Sequence, residues 1–182
     1  IAKAFVHLAT NVSDNGYTVF FDGDVTLCAG WRPFLFSYFT RDAADVVWSE
    51  ERQGVRCGGS RNWSCALPNS AAIATDPDEL RAFAAFGERN TGNAFAVRRN
   101  KRTRAWLRDA LALYPRLSAS GIVTGNGGKA DQPTFRESFF LHRHRLNESL
   151  LPQDRACHIF KQEKPSCPCK CKCSSCLFVH SH

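Results

Sequence analysis

Gly16-Tyr17-Thr18-Val19-Phe20-Phe21-Asp22-Gly23-Asp24 is an apolar run that ends in two carboxylates, and the rest of the chain is arranged around it. Tyr17 to Phe21 reads as a short strand of the type buried on both faces, as strands of parallel sheets are. That strand delivers Asp22 where the chain turns into a loop. Two carboxylates two residues apart, with Gly23 between them, can converge on a hard divalent cation that prefers oxygen ligands, Mn2+ or Mg2+, and such a cation neutralises a diphosphate. The plainer alternative is a turn in which Asp-Gly-Asp supplies only polar residues and a flexible joint.

Before this strand, Ile1, Phe5 and Leu8 share one face of a predicted amphipathic helix, and Asn11 to Gly16 forms a polar turn. After it, Pro33 starts a helix rich in aromatics (Phe34, Phe36, Tyr38, Phe39), and Asp45 to Ser49 is a second buried strand. Glu50 to Pro68 has no periodicity and reads as a long surface loop. Asp76, Pro77 and Glu79 open a helix, with Glu79 placed to reach back to the cap and Leu80, Phe83 and Phe86 on the buried face. Asn93 to Arg98 reads as a strand by the alternation of Phe95 and Val97, and Asn100 caps a basic helix that stops at Pro115. A glycine-rich loop, Gly121 to Gly128, precedes a helix that starts at Asp131 and carries Phe135, Phe139 and Phe140; Ser149 to Leu151 is a last strand. Strands alternating with helices predict an α/β fold with a mainly parallel sheet and ligands at the carboxyl ends of its strands.

The chain has 182 residues, 43% of them hydrophobic, with 14 Phe and 4 Trp, which suits one globular core and excludes a disordered chain. No run approaches the roughly 18 to 20 apolar residues of a membrane span. The formal charge of +7 is concentrated from Arg98 to Arg108 and from His142 to Arg145. On the helix from Lys101 these basic residues form a solvated face, and Trp106 takes a core-facing position, so nucleic acid is not an expected partner. Three N-x-S/T triplets, at Asn11, Asn62 and Asn147, would permit glycosylation in a secretory lumen.

Several segments, in order, resemble the nucleotide-diphospho-sugar transferase family of the GT-A fold, which includes plant arabinosyl-, xylosyl- and galactosyltransferases. Gly16 to Val25 is similar to the family's strand bearing the DxD motif, with Trp31, Arg32 and Pro33 after it. Ala44 to Glu51 is similar to the strand that runs back beside the DxD strand. Asn90-Thr91-Gly92, followed by a strand with Phe95 and Val97, then Arg98 and a helix with Thr103, Arg104 and Trp106, matches the turn that helps form the donor sugar pocket. Asp131-Gln132, followed by Pro133 and Phe135, resembles the helix start that faces the transferred sugar, and Leu150-Leu151-Pro152 resembles the strand end near the product side.

The resemblance implies a Rossmann-like GT-A domain over residues 1–160, incomplete at its N-terminus because in the family the strands that hold base and ribose precede the DxD strand. It implies a glycosyltransferase moving a sugar from a nucleotide diphosphate, a UDP-sugar above all, to a glycan or protein hydroxyl. Asp22 and Asp24 would hold Mn2+ or Mg2+. Asn90, Thr91, Gly92 and Gln132 would bind the donor, and Asp131 would act at the anomeric carbon. His158 is the nearest candidate for the family's C-terminal metal-binding histidine. The full-length protein would be a type II membrane protein of the Golgi lumen, anchored through a missing N-terminal segment.

Two other readings share these residues. Asp22, Asp24, Thr26 and Leu27 also resemble the opening motif of haloacid-dehalogenase phosphohydrolases, with Thr124 and Lys129 as imitations of the later hydroxyl and lysine, but the further acidic pair that chemistry needs has no match. The third is a non-catalytic remnant with a metal-binding tail. Nine cysteines are present, six of them from Cys157 to Cys176. Residues 161–182 are expected to be an irregular tail of Lys, Cys, Pro and Ser, in which Cys167, Cys169, Cys171, Cys173 and Cys176 could hold zinc or copper(I), or else scramble as disulfides.

Overall fold

The computed structural model describes residues 2–9, 16–50, 68, 70–86, 89–91, 94–119, 132–152, 154–159 and 176–181. In chain order the elements are α1 (Ala2–Ala9), β1 (Tyr17–Phe20), β2 (Val25–Leu27), α2 (Trp31–Arg41), β3 (Val46–Glu50), α3 (Ala71–Ala74), α4 (Pro77–Phe86), β4 (Arg89–Asn90), β5 (Phe95–Arg98), α5 (Lys101–Ala119), α6 (Gln132–His142), β6 (Glu148–Leu151), β7 (Ala156–Ile159) and β8 (Phe178–Ser181). The α/β expectation holds. The chain divides into a helical unit (Ile1–Val12, Glu51–Arg89, Asn100–Leu146) and a sheet unit (Ser13–Glu50, Asn90–Arg99, Asn147–His182).

In the sheet unit the central strand is β3. Val46, Val47, Trp48 and Ser49 are all buried, as a strand covered on both faces must be. It pairs antiparallel with β5 through Val46↔Val97 and Val47↔Ala96. It pairs in parallel with β6 from Val46↔Glu148 to Ser49↔Leu151. β1 pairs antiparallel with the far side of β5, from Tyr17↔Arg98 to Phe20↔Phe95, and β4 lies next to β3. Alternation along the strands separates two packed faces. Val47, Ala96 and Leu151 join Leu35, Tyr38 and Phe39 of α2 in one core. Trp48 stacks on Phe95 and Phe95 on Phe20, each at 5.7 Å, and the Trp48 indole N–H donates to Glu148 Oε2 at 2.8 Å. Fully burying side chains of this size stabilises by roughly 1.5–3 kcal/mol each.

Three expectations are corrected here. The sheet is mixed among the described residues, because β5 enters it antiparallel to β1 and β3. β1 is half-buried throughout and is an edge among the described residues, so its apolar run reflects its aromatic contacts with α2 rather than two covered faces. Tyr17 makes those contacts, with Phe39 at 3.9 Å and Phe36 at 5.8 Å. The segment Ala44 to Glu51 does not run back beside β1; β5 lies between them, and β3 runs in the direction of β1.

A second, three-stranded sheet has the order β2-β8-β7. β8 is its middle strand, antiparallel to β2 (Val25↔His180 to Leu27↔Phe178) and parallel to β7 (Ala156↔Phe178 to Ile159↔Ser181). The expectation of an irregular tail from Lys161 therefore fails for its last residues: Phe178 and Val179 are fully buried. Phe178 meets the rings of Phe21 and Trp31 at 6.0 and 6.2 Å. Cys28 and Cys176 are both disulfide-bonded and pack in one small cluster with Val179. Gly30, with φ 84°, makes the left-handed turn from Cys28 into α2.

The helical unit packs α5 against α6, α3 against α4 and α1 against α5. Trp106 is fully buried, edge-on to Phe135 and Phe139, and donates to Ser138 Oγ at 2.9 Å. Ile73, Phe83 and Phe140 form a second cluster with Phe86 at its border. Asn100 caps α5 as expected, accepting from the Thr103 amide at 2.9 Å, and Asp76 caps α4 through the amides of Asp78 and Glu79. Glu79 does not reach back to the cap: Arg143 holds both its oxygens, at 2.7 and 2.9 Å. α5 continues through Pro115 to Ala119 rather than stopping there. On α1 the buried residues are Ala4 and His7, while Phe5 is 61% exposed, because a small residue lets this short helix approach its neighbour closely. No helix among the described residues is long and apolar enough to cross a membrane.

Candidate functional site at the carboxyl edge of the larger sheet

β1 ends at Phe20, and Phe21 then carries the chain into a turn in which the Val25 amide donates to the Asp22 carbonyl at 3.1 Å. Asp22 is half-buried and Asp24 exposed at its tip. Gly23 is not needed for a left-handed backbone, and a Cβ placed on it would meet nothing within 4 Å.

The register brings other candidates to the same edge. Because Phe20 pairs with Phe95 in an antiparallel ladder, the residues after β1 and the residues before β5 leave the sheet on one side. Thr91 lies in that segment before β5 and is buried, and Asn90 is the last residue of β4, the strand of this sheet next to β3. β3 and β6 run parallel to each other and in the direction of β1, so Ser49 and the Leu150-Leu151-Pro152 end leave at this edge as well. Three strands that run together therefore present their carboxyl ends with Asp22, which is where open α/β sheets hold ligands. The Ser49 hydroxyl is buried there and has no hydrogen-bond partner among the described residues.

Gln132 is the first residue of α6, in the helical unit, as the sequence predicts for a helix start. Gly92, Asp131, Thr124 and Lys129 lie outside the described residues, as do the glycine-rich loop Gly121 to Gly128, Asn11, Asn62, most of the loop from Glu50 to Pro68, and Cys167, Cys169, Cys171 and Cys173. Cys176, being a half-cystine, is not a free thiolate for a metal cluster.

His180 has no counterpart in the sequence reading of the site. Its backbone pairs with Val25, the residue that follows Asp24, and on its other side with His158. The signal was present in Leu177-Phe178-Val179, an apolar, β-prone run, but the Cys- and Lys-rich residues before it concealed it.

Two carboxylates on one turn suit a small divalent cation that takes one or two protein oxygens and completes its shell with water and phosphate. Among the described residues there is no group of three or more His, Cys, Asp or Glu side chains able to hold a metal by themselves. Compared with protein-family models and with curated proteins, the chain matches none.

Proposed function

We propose that the chain carries the metal-and-diphosphate part of a glycosyltransferase of the GT-A type, which moves a sugar from a nucleotide diphosphate, a UDP-sugar by preference, to a glycan or protein hydroxyl. The observation that supports this most is the shared edge: Asp22 and Asp24 follow β1, and Thr91 precedes β5, at the end of the larger sheet where β3 and β6 also finish. In this reading Asp22 and Asp24 hold Mn2+ or Mg2+ against the diphosphate. The cation supplies the positive charge that stabilises the departing nucleoside diphosphate. Asn90, Thr91 and Gly92 bind the donor sugar.

The disulfide state of Cys28 and Cys176 supports folding in an oxidising compartment such as the Golgi lumen. Asn147, the one triplet asparagine among the described residues, is exposed and so accessible to a lumenal glycan.

The test is calorimetric titration with UDP, with and without Mn2+, on the chain and on Asp24→Ala. Binding that requires Mn2+ and weakens at least about tenfold in the variant, about 1.4 kcal/mol, is the expected result. A chain that binds no UDP with Mn2+ present overturns the reading and leaves the non-catalytic one.

A further inference from the structure

Of the three residues of β2, Val25 packs at the border of the core, and Thr26 and Leu27 are exposed, Leu27 by 38%. The ladder that secures the strand is the one with β8. β8 is fastened at several points. The Cys28 amide donates to the Leu177 carbonyl at 3.0 Å, the amides of Leu177 and Phe178 donate to the Arg155 carbonyl at 2.8 and 3.0 Å, and Phe178 is seated in the core. Cys28 and Cys176 sit where β2 ends and β8 begins, 8% and 5% exposed, in contact with the buried Val179. From Cys28 the chain reaches Asp24 in one direction through β2. In the other it enters α2, whose first amide, at Trp31, donates to the Cys28 carbonyl at 3.3 Å.

We propose that Cys28 and Cys176, bridged to each other, are positioning residues that latch β8 onto β2, so that order in the Asp22–Asp24 turn, and with it cation binding there, depends on the disulfide. The cation clause rests on the metal reading above; the latch itself does not. A bridge between positions this far apart in the chain closes a very long loop, the case in which a cross-link restricts the open chain most. A dithiol reductant opens it in two steps. One thiolate attacks a half-cystine sulfur, the S–S bond breaks, and a mixed disulfide forms. The second thiolate then attacks the reductant's own sulfur in that mixed disulfide and displaces the other thiolate. Two protein thiols are left, and the reductant leaves as its cyclic disulfide, having supplied two electrons. Phe178 still favours the folded β8, so release loosens the small sheet without unfolding the larger one.

Hydrogen exchange read by mass spectrometry over residues 24–28, 176–181 and 46–49 tests the latch, with the oxidised chain, the chain in dithiothreitol, and the Cys28→Ser/Cys176→Ser double variant. Exchange is expected to rise at least tenfold over 24–28 and 176–181 in both reduced and double-variant forms, to stay slow over 46–49, and to slow again on reoxidation. Mn2+ titration of the oxidised chain and the double variant is expected to show at least tenfold weaker binding in the variant. Unchanged exchange over 24–28 in both forms overturns the latch. Faster exchange with unchanged Mn2+ affinity overturns the coupling to the cation. An oxidised chain that binds no Mn2+ overturns the metal reading instead, and the exchange data alone then decide the latch.

Discussion

β3 and β8 are the middle strands of the two sheets in one unit, yet they are held in different ways. Four consecutive residues of β3 are buried, and paired strands flank it on both sides. β8 has two fully buried residues, Phe178 and Val179, and adds to them the disulfide state of Cys176 and a partner strand, β2, that is largely exposed. The larger sheet is maintained by apolar burial and the smaller one by local fastening. It follows that the candidate cation turn, which joins β1 of the first sheet to β2 of the second, has one firm end and one conditional end.

The comparison breaks most sharply at Trp48. Trp48→Ala removes the ring stacked on Phe95 and the indole donor to Glu148, and is expected to cost about 3–5 kcal/mol in a denaturant titration, with both sheets lost together. A loss below about 1 kcal/mol would mean that burial does not hold the larger sheet. Val179→Ala comes next, at roughly 2 kcal/mol from the methyl groups withdrawn from the cluster. Its effect should appear in hydrogen exchange as faster opening of 176–181 and 25–27, with 46–49 protected; equal loosening of all three segments would merge the two sheets into one cooperative unit.

The smallest effect is a pH dependence at the end of α2. The Asp42 carboxyl is held below the usual carboxylate range by its hydrogen bond from Arg41, against some desolvation, with a further contribution from Ser149 of β6. A depressed folded pKa gives stabilisation that is present above the unfolded value, about 3.8, and is lost as pH falls through the folded one. The pair is exposed and screened, so the melting temperatures of the chain and of Asp42→Asn should differ slightly at pH 7 and converge below about pH 4. A difference that grows on acidification contradicts the assignment.

How much of this was legible in the sequence follows from how local each signal is. Asp76 and Asn100 were readable as caps because a cap needs only its own residue and the next three amides. Trp106 was readable as a core residue because helical periodicity places it among Phe135 and Phe139. Glu79 was misread for the converse reason: its partner, Arg143, is distant in the chain, and an ion pair with it replaced the local capping bond. At the candidate site, the acid pair was legible as a motif. That it shares a sheet edge with the segment before β5 needed the Phe20↔Phe95 register, which periodicity does not specify.

The sequence by itself determined the α/β composition, the positions of most helices and of the strands that lead to Asp22 and end at Leu151, and the two carboxylates as a cation-binding candidate. These depend on residue spacing within a few turns of chain, where side-chain pattern and backbone geometry are directly linked. Only the tertiary structure decided that β5 enters between β1 and β3, so that the sheet is mixed. Only it decided that β8 returns to pair with β2 beside Asp24, and that Cys28 and Cys176 meet in one cluster. Pairing between segments so far apart is chosen by which arrangement buries Trp48, Phe95 and Phe178 together with their neighbours, a property of the whole packed unit that no single stretch contains.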